Sequence, residues 1–237
     1  MAKKLAWMFV LVSGFAWYAH AMDVSVGIEG GYTHNFLNTS TGYRAFTSYN
    51  DRGGFLIGVP VLVPLNEYLA VGSGLRYIQK NYQYARDFSD GHPAYSDYTN
   101  GFLQLPVFAD FSTEIAVFQV FFDLGVTLGF WLHSNRQGVL RGSSTYPYAP
   151  GYVQMERFNE RVPFDSTRDN RFDAALFAGI GVRYAFSFFT PFISARYHYG
   201  LTDLQKKYMK EQVPQYNNTI TVHIGVLYSF SLFGEST

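Results

Sequence analysis

The chain has no cysteine. Disulfide staples and thiolate metal sites are therefore excluded. Charge is scarce as well: 15% of the residues are Asp, Glu, Lys or Arg, against roughly 25% in an ordinary soluble domain. The two signs balance at 18 each, which leaves no net field to draw in nucleic acid. Beyond residue 22 there is no apolar run long enough to cross a bilayer as a helix. Close metal-ligand spacing is also missing, since His133, His198 and His223 are neither two nor four residues apart. Neither a metal nor a cofactor is expected.

Rings and glycines are what the chain has in excess. Aromatic residues make up 19% of it, with 23 Phe and 19 Tyr, and there are 22 Gly. Few charges combined with many rings suit strands that show one face to lipid and carry aromatic belts at the two interfaces.

The first residues set the compartment. Lys3 and Lys4 precede an uncharged, mostly apolar run from Leu5 to Tyr18, and Ala19-His20-Ala21 supplies a small-x-small cleavage site. The run of 14 residues falls short of the roughly 20 that a membrane-spanning helix needs. Residues 1–21 are thus expected to be a cleaved secretory signal peptide, and 22–237 a single mature domain. Without Lys3 and Lys4 the chain keeps 16 basic against 18 acidic residues.

The mature chain alternates with period two. From Ala116 to His133 the even positions are Ala116, Phe118, Val120, Phe122, Leu124, Val126, Leu128, Phe130 and Leu132, while the odd ones include Gln119, Asp123, Gly125, Thr127, Gly129 and His133. A strand separates these sets onto two faces, whereas a helix would scatter them. The rhythm recurs seven more times, in sets such as Phe55, Ile57, Val59, Val61, Val63 and Ile220, Val222, Ile224, Val226, Tyr228, Phe230. None of the apolar faces holds a charge. The opposite faces carry Glu29, Arg76, Lys80, Asp110, Asp123, Asp173, Arg183, Arg196, His198 and His223. Apolar outside and charged inside inverts a soluble barrel, and it satisfies both surfaces of a membrane barrel at once. The expected fold is all-β: a transmembrane antiparallel up-and-down barrel of about eight strands in a bacterial outer membrane.

Connections alternate in length. Short turns are expected near Pro64-Leu65-Asn66, Ser112-Thr113-Glu114 and Phe186-Ser187-Phe188. Long loops are expected over about 36–52, 85–100, 134–170 and 205–217. That rhythm puts the short turns and both termini in the periplasm and the long loops outside.

The last strand, His223-Ile-Gly-Val-Leu-Tyr-Ser-Phe230, resembles the polar-x-Gly-x-x-aromatic-x-aromatic signal of outer-membrane assembly, with His223, Gly225, Tyr228 and Phe230 at the signal positions. Four residues follow the last aromatic, Phe233, a departure from the usual end of that signal. Three further segments resemble the PorT-like outer-membrane barrels: Gly72-Ser-Gly-Leu-Arg-Tyr-Ile-Gln-Lys80, Phe102-Leu-Gln-Leu-Pro-Val-Phe108 and Arg196-Tyr-His-Tyr-Gly-Leu-Thr-Asp-Leu204. Small barrels of the OmpX and OmpW types are similar in architecture. The resemblance implies a fold and an address without implying one activity.

Six inward charges form the main constellation: Glu29, Asp110 and Asp123 beside Arg76, Arg183 and Arg196. An eight-stranded barrel is only wide enough for its own side chains, so these six are expected to pair into a polar plug. The competing reading is a narrow path for small or amphipathic solutes, and the PorT-like resemblance adds a secretion or assembly role. No enzymatic role is expected. Lipid-deacylating barrels set His and Ser at neighbouring inward positions, whereas His198 is followed inward by Gly200 and Ser194 stands two inward positions before it.

In the long loop 134–170, Tyr146, Tyr148, Tyr152, Arg157 and Arg161 are the expected contacts for an extracellular or envelope protein or glycan. The remaining expected partners are outer-membrane lipid and the outer-membrane assembly machinery. A charge at Val126 or Ile224 should cost about 2–4 kcal/mol near mid-bilayer, and one at Thr127 should be tolerated.

Overall fold

The computed structural model describes residues 23–39, 46–88, 93–141, 155–186, 188–206 and 213–231. The expected signal peptide lies outside the described residues. Ten strands run in chain order: β1 (Asp23–Asn38), β2 (Thr47–Pro64), β3 (Leu69–Gln79), β4 (Tyr82–Arg86), β5 (Ala94–Ile115), β6 (Phe118–Arg141), β7 (Met155–Arg161), β8 (Phe172–Arg183), β9 (Thr190–Gly200) and β10 (Tyr216–Ser231).

Eight of them close a ring of antiparallel pairs, β1-β2-β3-β5-β6-β8-β9-β10 and back to β1. The other two extend it at one end. After a break at Lys80 and Asn81, β4 continues β3 and pairs with β2 and β5. Before β8 begins, β7 pairs with the far end of β6. Closure gives each ring strand two partners, which is what a backbone needs where no water is present.

The alternation places the side chains. Leu124 is 53% exposed and its neighbour Asp123 is 0% exposed, and the same contrast repeats along every ring strand. Aromatic side chains flank the aliphatic band, with Tyr32, Phe55, Tyr77, Phe130 and Phe172 toward the end that carries β4 and β7, and Phe111, Phe118, Phe186, Tyr228 and Phe230 toward the other. The first is called the loop end below, the second the turn end. β6, at 24 residues, reaches about 80 Å at roughly 3.3 Å per residue, far more than a band about 25 Å tall requires. Its last turns of pleat therefore rise clear of the membrane.

Two prolines interrupt the ladders without breaking the wall. The β1–β2 register passes from Val26↔Val61 to Glu29↔Gly58, and the β3–β5 register from Ser73↔Val107 to Arg76↔Gln104. Pro60 and Pro106 sit in these gaps, where a residue without an N–H can be accommodated.

Three sequence expectations are corrected. The short turn expected at Ser112–Glu114 lies at Ala116-Val117, between the register partners Ile115 and Phe118. Ala116 is therefore a turn residue with φ of 56°, not part of the apolar face. The stretch 134–170 is not a bare loop, because β6 continues to Arg141 and β7 returns beside it. Finally, His133 does not face inward. A register shift between Gly101 and Phe102 skips Leu132, which turns His133 outward to meet the Tyr77 hydroxyl at 3.0 Å.

Candidate functional site

Inside the ring, apolar clusters and charged pairs interleave, with Asp110 beside Ala70 and Arg196 over Phe108 and Phe177. At the turn end Leu62, Ala70, Phe108, Phe177 and Leu227 pack together, with Phe192 against them. Charged pairs lie among and beyond these residues. Arg183 bonds Asp110 and lies over the Phe121 ring at 4.1 Å. Arg196 holds Asp123 Oδ2 through Nη2 at 2.6 Å and Nε at 2.7 Å. Arg76 meets Glu29 at 3.0 Å, and Lys80 meets Asp173 at 2.7 Å, with Gln104 donating to the same oxygen at 3.0 Å. Toward the loop end a second apolar layer follows, made by Leu56, Ile78, Phe102, Trp131 and Leu204, with Leu37 and Phe164 packed on it.

Glycines make room for these spans. Gly58 is the register partner of both Glu29 and Arg76, and Gly179 of both Asp123 and Arg196. A Cβ on Gly179 would come within 2.3 Å of Asp123 Oδ1 and 2.5 Å of Arg196 Cγ. Each pair thus reaches across a strand that offers no side chain of its own.

His223 contacts both Ser194, at 2.9 Å, and Glu29, at 3.4 Å. Both partners meet the same ring nitrogen, Nε2. A Ser-His-acid relay requires the acid on one nitrogen and the hydroxyl on the other, so this arrangement is a hydrogen-bonded lumen contact.

Above the Trp131 layer lies a chamber of about 930 Å³, bounded by Tyr49, Tyr82, Tyr84, Tyr98 and the segment from Glu160 to Asp169. Burial pushes the Tyr82 hydroxyl above its usual titration range. Hydrogen bonds from the Thr167 hydroxyl and backbone N–H hold the Asp165 carboxyl below its usual range. A larger apolar furrow, about 1180 Å³, runs along the outer surface beside Ile28, Ile57, Leu75 and Ile224 and is part of the lipid face.

The closed ring with its apolar outer band is the setting for the family match: the family model of the outer membrane protein beta-barrel domain matches residues 19–206. The chain belongs to this family. It is an outer-membrane β-barrel protein. Among solved structures, OprG from Pseudomonas aeruginosa is similar at 10% identity, with 89% of this chain and 96% of that one covered and a TM-score of 0.48. Neisserial surface protein A is similar at 13% identity, over 86% of this chain and 97% of that one, with a TM-score of 0.43. Ail of Yersinia pestis, solved with the heparin analogue sucrose octasulfate, is similar at 14% identity, over 87% and 99%, with a TM-score of 0.40. No curated protein matches the chain.

The barrel brings the six lumen charges together as Glu29–Arg76, Asp110–Arg183 and Asp123–Arg196. The assembly-signal residues are divided between faces. His223 is buried and Gly225 lies opposite Glu29, while Tyr228 and Phe230 are exposed opposite Val26 and Val24 of β1. Of the external contact residues, Arg157 and Arg161 lie on β7, and Tyr146, Tyr148 and Tyr152 lie outside the described residues. Sequence reasoning did not single out the tyrosine wall. The signal was available, because Tyr82 and Tyr84, two residues apart, share one strand face, with Tyr98 and Tyr49 as their register partners.

Proposed function

We propose that this protein is a non-conducting outer-membrane anchor, a sealed barrel that presents its loop end outside the cell as a contact surface. One observation carries the reading. The pairs Glu29–Arg76, Lys80–Asp173, Asp110–Arg183 and Asp123–Arg196 each join strands that are not neighbours in the ring, three across one intervening strand and Lys80–Asp173 across two. In a barrel only wide enough for its own side chains, these paired groups occupy the lumen. All eight are at most 8% exposed. An ion passing through would have to part these pairs and two apolar layers, and breaking one buried pair costs about 3–5 kcal/mol.

The orientation follows the connections. The short turns share an end with the start of β1 and the finish of β10, and outer-membrane barrels keep their short turns in the periplasm. The long strands and the β6–β7 hairpin then face outward. In this reading Tyr228 and Phe230 of the assembly signal lie on the β1–β10 seam, where the ring closes. Arg157 and Arg161, on the projecting hairpin, are available to an extracellular or envelope partner.

Conductance of the refolded full chain in planar bilayers tests the seal. The expected record shows no discrete openings. Reproducible openings from pure protein would replace the anchor with a channel for small solutes.

A further inference from the structure

The chamber at the loop end has the build of a ligand site. Its 930 Å³ lies within the roughly 300–1,000 Å³ of small-molecule sites. Trp131 and Leu204 floor it, so whatever enters is held and not passed on. The tyrosine wall is ordered by its own contacts: Tyr82 and Tyr98 stack at 4.8 Å, and Tyr49 meets Tyr84 edge-on at 5.4 Å. Around it, Arg136, the register partner of Tyr98, Arg161 and Arg168 line the chamber with Glu160, Asp165 and Asp169, three cations with three anions.

We infer that this chamber binds an uncharged oligosaccharide. The inference rests on the surface-contact reading and names the chemistry of its ligand. Flat aromatic faces suit the C–H faces of pyranose rings. Sugar hydroxyls both donate and accept, and a wall where guanidinium donors adjoin carboxylate acceptors answers both demands. Balanced charge gives no net field to hold a polyanion. β4, which carries Tyr82 and Tyr84, is paired on both sides by β2 and β5, so the tyrosine wall offers no open sheet edge to a peptide strand.

Trp131 is the only tryptophan beyond residue 22, so the chamber floor carries its own reporter. The full mature chain in lipid nanodiscs is titrated with maltotetraose, cellotetraose and chitotetraose while Trp131 fluorescence is followed. At least one of the three is expected to give a saturable change that persists when salt rises from about 0.1 to about 0.5 M, because no ion pair with the ligand is there to be screened. Tyr84→Ala should weaken that binding by about tenfold or more, and Tyr84→Phe should preserve it, since the ring face is what the sugar contacts. Arg161→Ala, at an exposed position, should also weaken it without disturbing the fold. The inference fails if none of the three sugars binds, if binding survives both Tyr84→Ala and Arg161→Ala, or if a heparin tetrasaccharide binds instead and is released by salt. A conducting wild-type barrel would overturn the seal alone and leave the sugar titration to be judged separately.

Discussion

Asp110 and Asp123 are register partners across the β5–β6 ladder, two buried carboxylates side by side on the inner wall. Like charges directly opposed on a sheet destabilise it. Each is matched here by an arginine from another strand, Arg183 from β8 and Arg196 from β9. Replacing Arg196 with Met should therefore cost more than the lost contact, because it bares Asp123 next to Asp110. The expected loss is about 3–5 kcal/mol, read from urea unfolding in lipid vesicles. Adding Asp123→Asn to Arg196→Met should recover most of it. Equal stability of the single and double variants would show that the pair is not coupled.

Glycine positions separate room from flexibility. Gly179→Ala forces a Cβ between Asp123 and Arg196 and should destabilise the barrel by about 1–3 kcal/mol. Gly30, on the outer face, has only the Leu56 carbonyl oxygen near its would-be Cβ, at 3.7 Å. Gly30→Ala should stay within about 0.5 kcal/mol of wild type. Heat-modifiable migration in a urea series reads both.

The membrane face gives a third test, and the structure alters its control. Val126→Arg and Ile224→Arg should each impair insertion by about 2–4 kcal/mol near mid-bilayer. Thr127 is 0% exposed inside the barrel, so a charge there meets packed side chains and not water. Tolerance at Thr127, expected from alternation alone, is replaced by an expected folding defect for Thr127→Lys. Thr127→Val should remain within about 1 kcal/mol, since it gives up one long hydrogen bond to the Ala175 carbonyl at 3.5 Å. A folded, inserted Thr127→Lys barrel would mean that the interior is wet.

The Ala116-Val117 turn offers a gain. Ala116 holds φ at 56°, a region that costs a Cβ-bearing residue about 1–2 kcal/mol. Ala116→Gly, at an exposed site, should raise stability by about 1 kcal/mol, visible as a shifted urea midpoint with an unchanged slope.

What could be read from the chain follows polarity contrast. Leu124 beside Asp123 was legible because lipid on one face and charged partners on the other demand opposite side chains. Met155–Arg161 was not, because a strand standing above the membrane is polar on both faces and carries no period. The turn at Ala116 lacked a Gly, Asn or Pro signal and was placed a few residues early. His133 was misassigned because one skipped residue, Leu132, reverses every face beyond it. The inward charges could be named one by one, but their pairing could not. Which arginine reaches which carboxylate depends on the stagger of the ring, and that stagger sends Arg196 to Asp123 while Arg183 takes Asp110.

That pattern bears on how the molecule comes into being. Among the four Lys or Arg pairs in the lumen, none lies within a hairpin; Asp110 and Arg183 are 73 residues apart, and Lys80 and Asp173 are 93. A half-built sheet entering the bilayer would carry bare charges, which a membrane interior rejects. Each pair waits for a third or fourth consecutive strand to arrive, so the charges act as a checkpoint that withholds stability from an isolated hairpin and grants it as further strands are added.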